Sequence, residues 1–150
     1  MAANSRFAMA THMMTALALN EDELLTSTYL ADSLNTNPVV VRRILADLQK
    51  AGLLETHTGR SGGARLARKA KDITLYEVYA AVDEGELFAY NPNDPNKKCP
   101  LSCEMKSVLE PIFATVQASL ATSLKDVRLS EVVGKIAKRC SLAKDTVSRT

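Results

Sequence analysis

Apolar positions recur at helical spacing through most of the chain and alternate in one short stretch near its middle. From Ser5 to Leu19 the residues Phe7, Met9, Ala10, Met13, Met14, Leu17 and Ala18 make a broad apolar band, which predicts a helix that Asn20 stops. His12 falls inside this band. Its simplest reading is a half-buried core histidine, with a ligand or sensor role as the alternative. The acidic run Glu21, Asp22, Glu23 reads as an exposed loop. Thr26 or Ser27 then caps a second short helix whose buried side is Tyr29, Leu30, Ala31 and Leu34.

The linker Asn35-Thr36-Asn37 turns the chain into a third helix. Asn37 is a strong N-cap type, and Pro38 suits the first helical position because no amide hydrogen is needed there. Val41, Ile44, Leu45 and Leu48 supply one apolar face; Val39, Arg42, Arg43, Ala46 and Lys50 fall on the opposite one. Gly52 follows Ala51 where a left-handed residue ends a helix. Leu53 to Thr58 alternates as a strand, and Ala64 to Ala67 is its return partner. Between them Gly59-Arg60-Ser61-Gly62-Gly63 supplies residues that tolerate positive φ at a hairpin tip. Two short helices with a three- or four-residue polar turn are the spacing of a helix-turn-helix, though helical hairpins in general share it. The hairpin that follows adds a wing.

Further on, Thr74 and Glu77 form a capping box for a helix through Leu75, Val78, Tyr79, Ala81 and Val82 that Gly85 can end. Tyr90 to Cys103, rich in proline and asparagine, has no usable periodicity and reads as a loop between two halves. From Leu101, the positions Met105, Val108, Ile112, Val116, Leu120, Leu124 and Val127 form one long helical stripe. That stripe has more apolar face than the first half can cover, and the same helix of a second chain would bury it. Pro111 either kinks this helix or marks its first turn. Ser130 can cap a last short helix, Glu131 to Arg139, with a frayed tail beyond Cys140. The organisation expected is residues 1–85 as a DNA-binding unit, 86–100 as a loop, 101–140 as a dimerisation helix plus a short helix, and 141–150 as a tail.

Composition sharpens this picture. The chain has 150 residues and a 46% apolar fraction, enough for one domain with a sizeable core; no Trp and few other aromatics imply aliphatic packing. The formal charge is only +2, yet the stretch from Arg42 to Lys71 holds Arg42, Arg43, Lys50, Arg60, Arg65, Arg68, Lys69 and Lys71 against Asp47 and Glu55. A basic concentration of that kind on a short helix and a wing is the footprint of a nucleic-acid partner. No segment nears the roughly 18 apolar residues needed to cross a bilayer, and no signal-peptide pattern is clear, so a cytoplasmic protein is expected. Three cysteines, an odd number, argue against a secreted disulfide framework. The glycine-rich tip lacks Walker spacing and opens no helix, which sets nucleotide binding aside. His12 and His57 are the only histidines, without an acid pair or nucleophile motif nearby in sequence, so an enzyme is not expected.

The stretches SRFAMATHMMTALAL, VVVRRILADLQKAGLL, GRSGGARLA and DITLYEVYAAVDEGELF together resemble the Rrf-two family of bacterial winged helix-turn-helix transcriptional regulators, from Ser5 to about Val133. The NPVVVRR version, with ELFAYNPNDPNKKCP, is most similar to its cluster-free, YwnA-like branch. The resemblance implies a mainly α fold with a small β wing (α+β), a long C-terminal dimerisation helix, and a homodimer gripping a pseudo-palindromic operator as a repressor. It places DNA contacts on Thr28, on Asn37, Val39, Arg42 and Arg43 of the recognition helix, and on Arg60, Ser61 and Gly62 of the wing. Cluster-binding relatives carry three cysteines before the long helix. Here that loop holds only Cys99 and Cys103, spaced C-x3-C, with Cys140 far along the chain. No cofactor is expected; an iron-sulfur cluster would need His12, a carboxylate or a partner chain to complete its ligands, and zinc is no better supported. Lys97 and Lys98 beside Cys99, and a helix start near Cys103, are surroundings that favour reactive thiols, which makes the two cysteines redox-sensing candidates. Two alternatives stay open: a winged-helix protein-interaction module without DNA binding, and an iron-sulfur-dependent regulator of the same family.

Overall fold

A computed structural model describes residues 5–83 and 85–147, the last six as backbone. Six helices surround one two-stranded sheet among the described residues: α1 (Arg6–Leu19), α2 (Ser27–Leu34), α3 (Pro38–Lys50), β1 (Leu54–His57), β2 (Gly63–Leu66), α4 (Leu75–Val82), α5 (Pro100–Lys125) and α6 (Leu129–Val147). A 3-10 turn, Ala70–Asp72, leads into α4.

The caps form where the sequence places them. The Thr26 hydroxyl accepts from the Tyr29 amide and the Asn37 side chain from the Val39 amide, each occupying an otherwise unpaired donor of a first turn. Gly52 takes φ +76°, and the amides of Gly52 and Leu53 return to the carbonyls of Gln49 and Leu48, closing α3 in a Schellman-type turn. Thr74 and Glu77 form the reciprocal capping box at α4. The core is aliphatic as expected: Met13, Met14, Leu17, Leu30, Val41, Ile44, Leu48, Leu53, Ile73, Val78 and Leu129 are fully buried. Phe7 meets Tyr79 edge-on at its rim, the ring centroids 5.5 Å apart.

Five details differ from expectation. Tyr29 is exposed rather than buried, because α2 is short and turns only Leu30, Ala31 and part of Leu34 inward. His12 is exposed instead of half-buried; its Nε2 lies 2.8 Å from the Ser33 hydroxyl. α4 ends at Val82, with Asp83 as its C-cap, before Gly85 is reached. Pro111 lies inside α5, which begins at Pro100, so it does not mark the first turn. The last helix starts at Leu129 and runs to Val147, which places Ser130 inside it and extends it well past Arg139. Its early start has a tertiary cause. The Leu129 amide donates to the Ile73 carbonyl and the Leu75 amide to the Val127 carbonyl, pinning the chain beside α4, and α6 then packs on α1. Residues 148–150 of the expected tail lie outside the described residues.

Candidate nucleic-acid interface

Helix α3 presents its two faces to different media. Val41, Ile44 and Leu48 are wholly buried and Leu45 nearly so, whereas Val39, Arg42, Arg43, Ala46 and Lys50 face solvent. Burying those four side chains is worth about 1.5–3 kcal/mol each and fixes the rotation of the helix. The exposed orientation of Arg42 and Arg43 follows from that rotation.

The wing is set against α3 and the α1–α2 connection by backbone bonds. β1 and β2 pair antiparallel, with His57 opposite Gly63, Thr56 opposite Ala64, Glu55 opposite Arg65 and Leu54 opposite Leu66. Leu25 exchanges two backbone hydrogen bonds with Ala64, at 2.8 and 3.0 Å, extending the wing toward α2. The Thr56 hydroxyl donates to Gln49 Oε1 at 2.9 Å and ties the wing to α3. At the tip, a Cβ on Gly62 would lie 2.1 Å from the His57 carbonyl oxygen, so only glycine fits the turn. The hairpin tip therefore projects Arg60 and Ser61 outward. Between α3 and the wing runs a cleft of about 510 Å³ lined by Ser27, Arg42, Gln49, Thr56, His57 and Gly59, among others.

The sequence-predicted residues lie as follows. Thr28 is exposed in the first turn of α2, and Asn37 is exposed at the start of α3. Asn37 Oδ1 is already engaged, 2.8 Å from the Val39 amide, which leaves its Nδ2 facing outward as the donor. Val39, Arg42 and Arg43 share the outer face of α3; Arg60 and Ser61 stand at the wing tip, and Gly62 is half-buried beneath them. Among the described residues, Arg65 pairs with Glu55 at 3.1 Å, Arg68 with Glu77 at 2.8 Å, and Arg6 with Asp47. Arg42, Arg43 and Arg60 have no carboxylate partner there. Pattern reading missed Ser27, Gln49 and Thr56, which join the cleft only because the wing folds back; no periodic signal marks them.

The two cysteines at the start of the long helix are one helical turn apart. Cys99 is the N-cap of α5 and is half-buried; Cys103 is exposed, and its thiol lies 3.6 Å from the Asn96 carbonyl. Cys140 lies on α6. Among the described residues no group of three or more His, Cys, Asp or Glu is placed to hold a metal ion. No described helix is long and apolar enough to cross a membrane.

Comparison with known proteins fits this geometry. A family model described as "Rrf2: Iron-dependent Transcriptional regulator" matches residues 3–135. The chain is 40% identical over 134 residues to YwnA of Bacillus subtilis (strain 168), a candidate HTH-type transcriptional regulator, covering 89% of this chain and 98% of that protein. A crystal structure of a candidate DNA-binding protein is 36% identical, with a TM-score of 0.69 over 85% of this chain and 98% of that one. The structure of T. potens IscR shares the fold at 18% identity, with a TM-score of 0.67 over 91% of this chain and 88% of that one. Of the cysteines, the described residues set Cys99 and Cys103 one helical turn apart and Cys140 on a different helix.

Proposed function

The chain belongs to the Rrf2 family of transcriptional regulators, and on that footing we propose a homodimeric, sequence-specific repressor that grips a pseudo-palindromic operator in the cytoplasm. The family and the relatives above are regulators rather than enzymes. The observation that carries the DNA reading is the set of exposed arginines without carboxylate partners among the described residues, Arg42 and Arg43 with Val39 on the outer face of α3 and Arg60 at the wing tip. Arginine takes guanine O6 and N7 bidentately, and valine meets a thymine methyl; a wing arginine suits phosphate or the minor groove. Thr28, Asn37, Ser61 and Gly62 complete the contact set. An interaction module that never meets DNA would have no use for uncompensated cations on both α3 and the wing.

Support for the homodimer is the stripe on α5, where no residue is buried within its own chain. Leu101, Val108 and Ile112 are 65%, 56% and 52% exposed. Pairing two such helices would set two recognition helices about one DNA turn, ~34 Å, apart, and the bound dimer would block a promoter. Cys99 and Cys103 are the redox-sensing pair: loss of two electrons and two protons to a peroxide would join them in a disulfide at the first turn of α5.

Fluorescence anisotropy on DNA from upstream of the protein's own gene, with scrambled DNA as control, tests the reading. Affinity should fall steeply with salt as phosphate counterions are displaced. Arg43→Ala should cost about 1–3 kcal/mol on the operator and much less on scrambled DNA. Equal loss on both would remove Arg43 from base readout.

A further inference from the structure

Three aromatic rings meet where the segment after α4 crosses α5. Phe88 and Phe113 lie 4.8 Å apart between centroids with their planes at 37°; Tyr90 joins Phe113 at 5.3 Å and 31°. The crossing is anchored by the Leu87 amide, which donates to Gln117 Oε1 at 3.3 Å. Beside the rings opens a cavity of about 470 Å³ whose other walls include Glu86, Lys106 and Glu110. Small-molecule sites span about 300–1,000 Å³ and combine apolar faces with a few convergent polar groups.

The charge of the cavity selects among ligands. Two carboxylates and one ammonium line it, and Lys106 Nζ already sits over the Tyr90 ring, 5.3 Å from its centroid. Aromatic faces are the negative pole of the ring quadrupole and attract cations, so rings and carboxylates favour the same sign of guest. The Tyr90 phenol reports the same field: desolvation, then Glu110 and Glu86, push its pKa upward.

We propose that this cavity binds a small organic cation with a flat apolar body, a quaternary or protonated aromatic amine. Its ring would stack on Phe88 and Phe113 and its charge would lie against Glu86 and Glu110. Pairing of α5 with a second copy leaves the site open. At about 100° per residue, Lys106, Glu110, Phe113 and Gln117 centre roughly 130° around the helix from Leu101, Met105, Val108, Ile112 and Val116. The guest would lie against the segment that joins α4 to α5, and so would bias how the winged part is held on the dimer helix. That regulatory consequence rests on the DNA-binding reading above; the binding itself does not.

The test titrates the full-length protein with N-methylacridinium, acridine and acridine-9-carboxylate, at a mildly alkaline pH where acridine is neutral, reading probe fluorescence. The cation should bind saturably, one per chain and about tenfold tighter than acridine, with the carboxylate weakest. Glu110→Gln should weaken the cation about fivefold and leave acridine unchanged, whereas Lys106→Met should tighten the cation by removing a like charge. Phe88→Ala, at a half-exposed ring, should weaken both. Equal binding of all three probes, preference for the carboxylate, or indifference of the cation to Glu110→Gln and Lys106→Met would each overturn the proposal. So would absence of saturable binding, the result expected if a second copy covered the cavity. Operator binding measured separately without probe keeps the two readings apart, because its failure would leave the titration result standing.

Discussion

Asn37 shows how one side chain serves fold and surface at once. Its carbonyl oxygen caps α3, and that engagement orients the remaining amide donor outward. The cysteines at α5 are a second case. Cys99 accepts at its backbone carbonyl from the Cys103 amide at 3.2 Å, so the two thiols belong to the opening turn of the helix. A disulfide there would remove the Cys103 thiol from the Asn96 carbonyl and reshape that turn. Serine is a better N-cap than cysteine, so Cys99→Ser should keep the fold while removing one sulfur. Mild peroxide treatment is expected to weaken operator binding of the native protein about tenfold, ~1.4 kcal/mol, and to leave Cys99→Ser unchanged. The same oxidative loss in that variant would take Cys99 out of the switch.

At the scale of elements, the capping box of α4 is tied to the end of the wing. Arg68, just after β2, reaches Glu77 at 2.8 Å, and the Thr74 amide donates to the same carboxylate at 2.9 Å. Partial burial raises the Glu77 pKa, but the Thr74 amide and then Arg68 outweigh it and hold it below the ordinary 4.5. A carboxylate with a depressed folded pKa adds stability that is fully present above its unfolded value and lost as pH falls through the folded one. Acid unfolding of the native protein should therefore steepen below about pH 4.5, and Glu77→Gln should flatten that limb while lowering stability at neutral pH. Urea midpoints across pH read this out; parallel curves for both proteins would refute it. Thr74, Glu77, Asn37 and Gly52 were all legible in sequence because caps and glycine stops are local chemistry. The Arg68 contact was not, since it depends on where the wing ends in space.

The molecule as a whole carries one large unmet demand, a helix of 26 residues with no buried side chain. Lysine at the middle of its exposed stripe tests what covers it. Ile112→Lys should leave the helical circular dichroism signal intact and shift sedimentation from dimer to monomer. Operator affinity should fall by about 10²-fold as the two half-sites lose their linkage. An undisturbed dimer would place the interface elsewhere.

Periodicity and caps determined helices α1 to α3, the hairpin and the rotation of α3, because each is set by neighbours within a few residues. Thus Val41, Ile44, Leu45 and Leu48 were readable as the inner face, and Arg42 and Arg43 as the outer one. The composition of the Arg42–Lys71 stretch likewise announced a basic surface, but not which of its cations would remain without carboxylate partners. Tertiary structure alone decided that Glu55 and Glu77 engage Arg65 and Arg68, and that Leu129 is drawn to Ile73 so that α6 starts early and lies on α1. It also decided that Phe88 and Tyr90, in a stretch without periodicity, meet Phe113 across α5. Such contacts join residues far apart in sequence, and no local rule of spacing or capping encodes which of them will meet.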